Sequence, residues 1–431
     1  MYSLIFRLEK VIYTILFLLI LLFTSSQILQ SKLLVVFMFL INGRLIFHYR
    51  KVIPILIFFI FCISYISPFY DHFFSGVSVT LHESFNTSYY LGHVVVIFGL
   101  FLLSVFVFTE SRINYVFLSH RLNFINSSKA FYSLLFIVLL LAMFALRGQS
   151  MLSGNSYGDL DVEKSPLFEY SLVFFALAVC FYDQSKIKMS LILFLVSFIL
   201  IKDLLYGGRI TSIMLLLFTY SMYFEDKIAK KYVFILFGLS IFALISFQFI
   251  RTHPFLFLSG NISFSDIFNS VVEPNTNETL ASNQGDIAQS SARLYGFVDK
   301  GILPFEDRIS SFYYFLVSIF TPGISFSELG SLAQYKKDEY SAGGGGLLPV
   351  FFYVWLSYPG VVLSGYLVSR FNKLYVNAKK NYMIIFSGLL LATFPRWFVY
   401  SPIIIFKLCA YVIPFYLIFV NVFFKKSQEL D

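Results

Sequence analysis

Six arginines have the type and placement to do chemistry on an anion: Arg147, Arg209, Arg251, Arg293, Arg308 and Arg396. Guanidinium is planar and stays charged, and it matches phosphate oxygens two at a time. Several of them around one cavity would hold a diphosphate. Arg209 follows Gly207-Gly208 and opens an apolar run, where the free N–H groups of a helix start also favour an anion. The candidate anion ligands are therefore Arg147, Arg209, Arg251 and Arg293. The competing reading is that these side chains snorkel to lipid headgroups or pair with loop carboxylates. A reaction at such a site also needs a base. His253, in Arg251-Thr252-His253-Pro254, sits beside one of these arginines, and its ordinary pKa near 6.5 lets it accept a proton. Glu328, Asp338, Glu339, His82 with Glu83, and His93 are alternatives. Asp159-Leu160-Asp161 spells a metal-binding pattern, but Glu163 beside it makes an acidic solvated turn the simpler reading, and no metal is expected.

These residues must be held by elements of an unusual kind. The chain has 431 residues, 58% hydrophobic, 20% aromatic and only 13% charged. A soluble domain carries about 25% charged residues. A chain this poor in charge cannot cover a water-facing surface, which excludes a soluble enzyme, a secreted domain and a disordered chain. The net charge of +8 would suggest nucleic acid in a soluble protein, but here the basic residues lie between apolar runs. Mean hydropathy of +0.78 points to a polytopic membrane protein. Cys62, Cys180 and Cys409 all lie inside apolar runs, so neither a disulfide framework nor a metal cluster is expected.

A bilayer core about 30 Å thick takes about 20 apolar residues in helix. Twelve segments qualify, near 11–28, 33–48, 52–69, 89–109, 130–147, 167–182, 188–202, 205–224, 231–250, 346–368, 382–399 and 402–424. Asn42-Gly43-Arg44 interrupts the second, and the seventh is short with Lys188 and Lys202 near its ends. With the N-terminus inside, most of the basic residues fall on inner segments, as the positive-inside rule requires. Both termini are then cytoplasmic. The first run lacks an Ala-x-Ala cleavage pattern and reads as an uncleaved anchor. The expected architecture is an all-α bundle of twelve spans forming one integral membrane domain, 1–431.

One connection breaks the regularity. Residues 252–345, between spans nine and ten, form a long outer loop that keeps aromatics and apolar clusters throughout, so a folded cap is expected. Within it, Phe312–Phe320 is apolar but too short to span, which suggests a re-entrant or interfacial piece. The loop closes on Gly343-Gly344-Gly345-Gly346-Leu347-Leu348-Pro349, leading straight into span ten. Glycine lets the backbone come close to a ligand, or simply forms a joint.

The length, the dozen spans, the large late outer loop, Gly-Gly-Gly-Gly-Leu-Leu-Pro followed by Phe351-Phe352-Tyr353, and Gly207-Gly208-Arg209 together resemble the Wzy-type O-antigen polymerases (oligosaccharide repeat-unit polymerases). That family shows an Arg, ten residues, then Gly in two outer loops. Arg147 to Gly158 keeps this spacing, whereas Arg251 and Arg293 in the long loop do not. The resemblance implies a GT-C-like glycosyltransferase membrane fold in the bacterial inner membrane. It implies polymerisation of undecaprenyl-diphosphate-linked oligosaccharides at the periplasmic face, without nucleotide sugar or cofactor. The partners would be those lipid-linked glycans, membrane lipids and a chain-length regulator, with no nucleic acid. Arginines would stabilise the charge developing on the departing diphosphate, and a base would deprotonate the attacking hydroxyl. Tyr313, Tyr314 or Tyr353 could stack on a sugar, although packing or an interface belt explains most aromatics here. Two other functions compete with it: an O-antigen ligase using the same carrier, which shares these features, and a flippase for the lipid-linked glycan. A flippase predicts charges along the mid-membrane path and short, balanced loops, which this sequence lacks.

Overall fold

The computed structural model describes residues 2–76, 86–122, 125, 127–150, 162–165, 167–183, 185–233, 235, 238–239, 255, 259, 263, 265, 283–321, 328–333, 335–336, 339–340 and 345–428. The described chain is almost wholly helical. In order it forms α1 (Tyr2–Phe23), α2 (Gln27–His48), α3 (Ile53–Tyr70) and α4 (Thr87–Phe108). There follow α5 (Ser128–Phe144), α6 (Leu167–Val179), α7 (Lys186–Leu205) and α8 (Ile210–Thr219). The remainder is α9 (Asn283–Asp299), α10 (Phe305–Phe320), α11 (Leu348–Asn377), α12 (Asn381–Ala392) and α13 (Ile403–Gln428). A two-stranded antiparallel ladder joins β1 (Leu146–Gly148) to β2 (Val162–Lys164). Among the described residues, five helices are long and apolar enough to cross a membrane: Gln27–His48, Ile53–Ser75, Thr87–Phe108, Leu348–Asn377 and Ile403–Val420. Four more apolar helices are shorter. The chain is therefore an all-α membrane protein. The expected ninth span, 231–250, lies mostly outside the described residues.

The chain divides into two compact units. The first comprises Met1–Tyr115, Thr276–Asn377 and Thr393–Lys407. Its axis is α4, an apolar helix packed by α2, α9 and α11. Close helix approach in a membrane needs small side chains, because lipid offers no hydrophobic driving force for association. Gly365 of α11 meets this need: a Cβ there would lie 2.5 Å from Ser104 Cβ and 2.9 Å from Phe101 O of α4. The interruption in the second segment is absorbed without breaking α2. Asn42 is fully buried and donates to Phe59 O of α3 at 2.8 Å, while Arg44 donates through Nε and Nη2 to Glu9 Oε2 of α1. Lys10 of α1 donates to Val107 O and Thr109 O at the end of α4. Asn42, Arg44 and Lys10 thus each meet a partner on a neighbouring helix.

The second unit comprises Val116–Asn275, Ala378–Ala392 and Leu408–Asp431. Here α5 packs on α6, α7 on α8, and α12 against α6 and α8. The lysines at the ends of α7 are both engaged. Lys188, almost wholly buried, pairs with Asp183 at 2.8 Å, and Lys202 donates to Ala142 O and Met143 O, terminal carbonyls of α5. Those carbonyls have no intrahelical donor, so a cation satisfies both hydrogen bonding and the helix dipole.

Candidate anion and glycan site

The long connection before α11 carries two helices, α9 and α10, in the first unit. Helix α9 has a polar sequence, Asn-Gln-Gly-Asp-Ile-Ala-Gln-Ser-Ser-Ala-Arg, yet it packs on α3, α4 and α11. Ser290, Ser291 and Arg293 are all buried. The short apolar piece Phe312–Phe320 is the second half of α10, which lies against α11 through Trp355. Trp355 stacks near Phe312 and Phe315, and its Nε1 donates to Ser311 Oγ at 3.2 Å.

The faces of α9 have separate work. Toward the glycine run it presents Ile287, Ser291 and Leu294. Leu347 N donates to Ser291 Oγ at 3.0 Å, while Gly346 N and Leu348 N donate to Val399 O and Phe398 O. A Cβ on Gly345 would stand 2.5 Å from Ile287 Cδ1 and 2.8 Å from Val399 O. The close approach at Gly345 and Gly346 is thus to the protein's own backbone and to α9. Gly343 and Gly344 lie outside the described residues.

A second face carries Arg293 and, one turn later, Phe297. The Arg293 side chain is 1% exposed. Its guanidinium stands 5.6 Å from the Phe297 ring, and Nη2 donates to Ala333 O at a long 3.4 Å. Nε and Nη1 are buried and find no hydrogen-bond acceptor among the described residues. Burial lowers its pKa to about 10, which leaves it cationic at neutral pH. A buried, uncompensated charge costs several kcal/mol, so a residue in this state is tuned for an incoming anion or held at a standing cost.

The third face carries Tyr295 and Asp299. Tyr295 stacks on His93 of α4, with ring centres 4.7 Å apart and planes at 9°, and on Tyr353 of α11 at 5.3 Å. Tyr89 meets His93 at 4.6 Å, and Tyr358 meets Tyr353 at 5.2 Å. Tyr90 donates its hydroxyl to Asp299 Oδ2 at 3.3 Å. Sequence reading weighed His93 and Tyr353 singly. Their meeting depends on contacts across some 200 residues, for which no local spacing gives a signal.

The other expected ligands fall as follows. Arg308 donates to Val354 O, Tyr353 O and Ser357 Oγ, at the break in α11 where Ser357 takes φ 57° just before Pro359. It holds carbonyls that the break loosens. Arg147, in β1, is exposed, lies over the Phe144 ring at 5.3 Å, and stands in register with Glu163 of β2. Arg209 is the N-cap of α8. The helix start behind it already holds a carboxylate: buried Asp203 accepts from Ser212 N at 3.1 Å and from Ser212 Oγ at 3.0 Å. An internal anion therefore occupies part of the position that the sequence suggested for a phosphate. Arg293 belongs to the first unit, and Arg147 and Arg209 to the second. Arg251, His253, Gly158, His82, Glu83, Asp159, Asp161 and Asp338 lie outside the described residues. Glu339 is an exposed partner of Lys336 at 3.5 Å. Among the described residues, no group of three His, Cys, Asp or Glu side chains could hold a metal ion.

Comparisons with family models, with curated proteins and with solved structures return no match.

Proposed function

We propose that this protein is a membrane glycosyltransferase that joins polyprenyl-diphosphate-linked oligosaccharide repeat units into O-antigen or a similar surface polysaccharide. In this reading the chain has about twelve spans of GT-C-like type in the bacterial inner membrane, with both termini cytoplasmic and 252–345 on the periplasmic side. The observation that carries it is Arg293, a nearly inaccessible guanidinium in the long connection with two N–H-bearing atoms unpaired among the described residues. A diphosphate leaving group has the charge and the oxygens to pair with those atoms. Charge builds on the bridging oxygen as the anomeric bond breaks, and a guanidinium placed beforehand stabilises it. Gly343 and Gly344 are the proposed backbone contributors, because Gly345 and Gly346 are already engaged by α9 and Val399 O. Arg147, Arg209 and Arg251 as further anion ligands, Gly158 as a backbone contributor and His253 as the base rest on the sequence alone.

The experiment is gene deletion and complementation, read by electrophoresis of the cell's lipopolysaccharide. Wild type should restore a full ladder. Arg293→Ala, present in the membrane at equal level, should give core plus a single repeat. A normal ladder from Arg293→Ala would overturn the site. A deletion strain with no repeat added at all would point instead to ligase or flippase.

A further inference from the structure

Beyond the arginine site lies the ring cluster on the opposite side of α9. We infer that Tyr89, His93, Tyr295, Tyr353 and Tyr358, with Asp299 at their margin, form a second glycan site that binds uncharged sugar rings of the acceptor chain. This rests on the proposed glycan function and adds a subsite to it.

Position separates this cluster from the anion site. Successive residues of a helix turn by about 100°, so Tyr295 lies about 200° around α9 from Arg293, and Asp299 about 240°. A sugar attached directly to a diphosphate at Arg293 would not lie on this face. The cluster therefore suits the other glycan that polymerisation must hold.

The chemistry also fits. Phe outnumbers Tyr by 56 to 29 in this chain, yet the four rings joined to His93 here are all Tyr. Packing alone requires no hydroxyls, and buried hydroxyls need partners. At the margin, the neighbouring Tyr90 donates its hydroxyl to Asp299 Oδ2. Pyranose rings present C–H faces that lie on aromatic rings, and hydroxyls that donate to a carboxylate. Accessibility is graded along the cluster. Tyr295 is 6% exposed, Tyr89, His93 and Tyr353 are half-buried, and Tyr358 is 41% exposed. Asp299 is exposed beside them. A ligand would meet Tyr358 and Asp299 first.

The test is saturation-transfer NMR on the full-length protein in nanodiscs. The probe is oligosaccharide released by acid hydrolysis from the strain's own surface polysaccharide, carrying neither lipid nor diphosphate. Wild type and Arg293→Ala should both transfer saturation to sugar C–H protons. Tyr358→Ala with Asp299→Asn, both at exposed positions and checked for a wild-type melting temperature, should lose that transfer. In cells the same double variant should shift the ladder to shorter chains, where Arg293→Ala stops at one repeat. No transfer in wild type, or equal transfer in the double variant, would overturn the subsite. Equal transfer is also the result expected of tyrosines that merely line the membrane interface. A full ladder in the gene deletion would instead defeat the polymerase reading while leaving the binding result standing.

Discussion

Arg293 is where cost and use meet on one side chain. Its folded pKa of about 10 lies below the ordinary guanidinium value because burial disfavours the charge. The folded state therefore binds this proton less tightly than the unfolded chain. The penalty is fully present at neutral pH, and stability rises with pH only above about 10. Replacing such a charge with an apolar residue of similar volume is often neutral or stabilising. Arg293→Met should thus match or exceed the wild-type melting temperature in thermal unfolding while losing the ladder. Inorganic pyrophosphate should raise the melting temperature of wild type and leave that of Arg293→Met unchanged. A clear fall in melting temperature for Arg293→Met would mark the guanidinium as a structural strut. The residue type was legible in the sequence, since an arginine in a long outer loop stands out. Its burial was not. Asp203 was equally hidden: a carboxylate six residues before Arg209 gives no sign that it will fold back on Ser212.

At the scale of elements, the apolar helices were legible because their composition leaves no alternative, and the two doubtful ones resolve through pairwise chemistry. Asn42 and Arg44 stay in helix because Phe59 O and Glu9 receive them. Lys188 and Lys202 reach Asp183 and the end of α5. Helix α9 was not legible, because its polar face reads as a loop until α3, α4 and α11 are in place around it. The short apolar piece drew attention to Phe312–Phe320 instead, which forms half of α10. Contact between α4 and α11 turns on Gly365, so Gly365→Val should cost about 1–3 kcal/mol or more by overpacking, measured as a lowered unfolding midpoint. Arg308→Leu removes the donor to Val354 O and Tyr353 O at the break in α11. Buried acceptors left without a donor cost about 1–3 kcal/mol, and the same measurement should show it.

For the whole molecule, composition alone fixed the class: 13% charged residues can serve a chain wrapped in lipid and little else. The proposed orientation makes a direct prediction. Cys62 and Cys180 are buried, so in a Cys409→Ser background the native thiols should stay silent. A cysteine introduced by Lys300→Cys should then react with a membrane-impermeant maleimide in spheroplasts, whereas Lys227→Cys should react only after lysis. Reaction of both, or of neither, in intact spheroplasts would remove the assigned sidedness. Two compact units, each drawing on separated stretches of chain, were beyond the reach of local patterns. Hydropathy reports where a segment can reside, and is silent on which distant segment will lie beside it.

A hydrophilic α9 seated against α3, α4 and α11 imposes an order on biogenesis. Lipid cannot solvate Ser290, Ser291 and Arg293, so α9 cannot leave the translocon sideways as its neighbours do. It must wait clear of the lipid until α11, synthesised about fifty residues later, has entered the bilayer and completed its berth. A nascent chain halted before Leu348 would leave that helix stranded, and quality-control proteases would meet it there first.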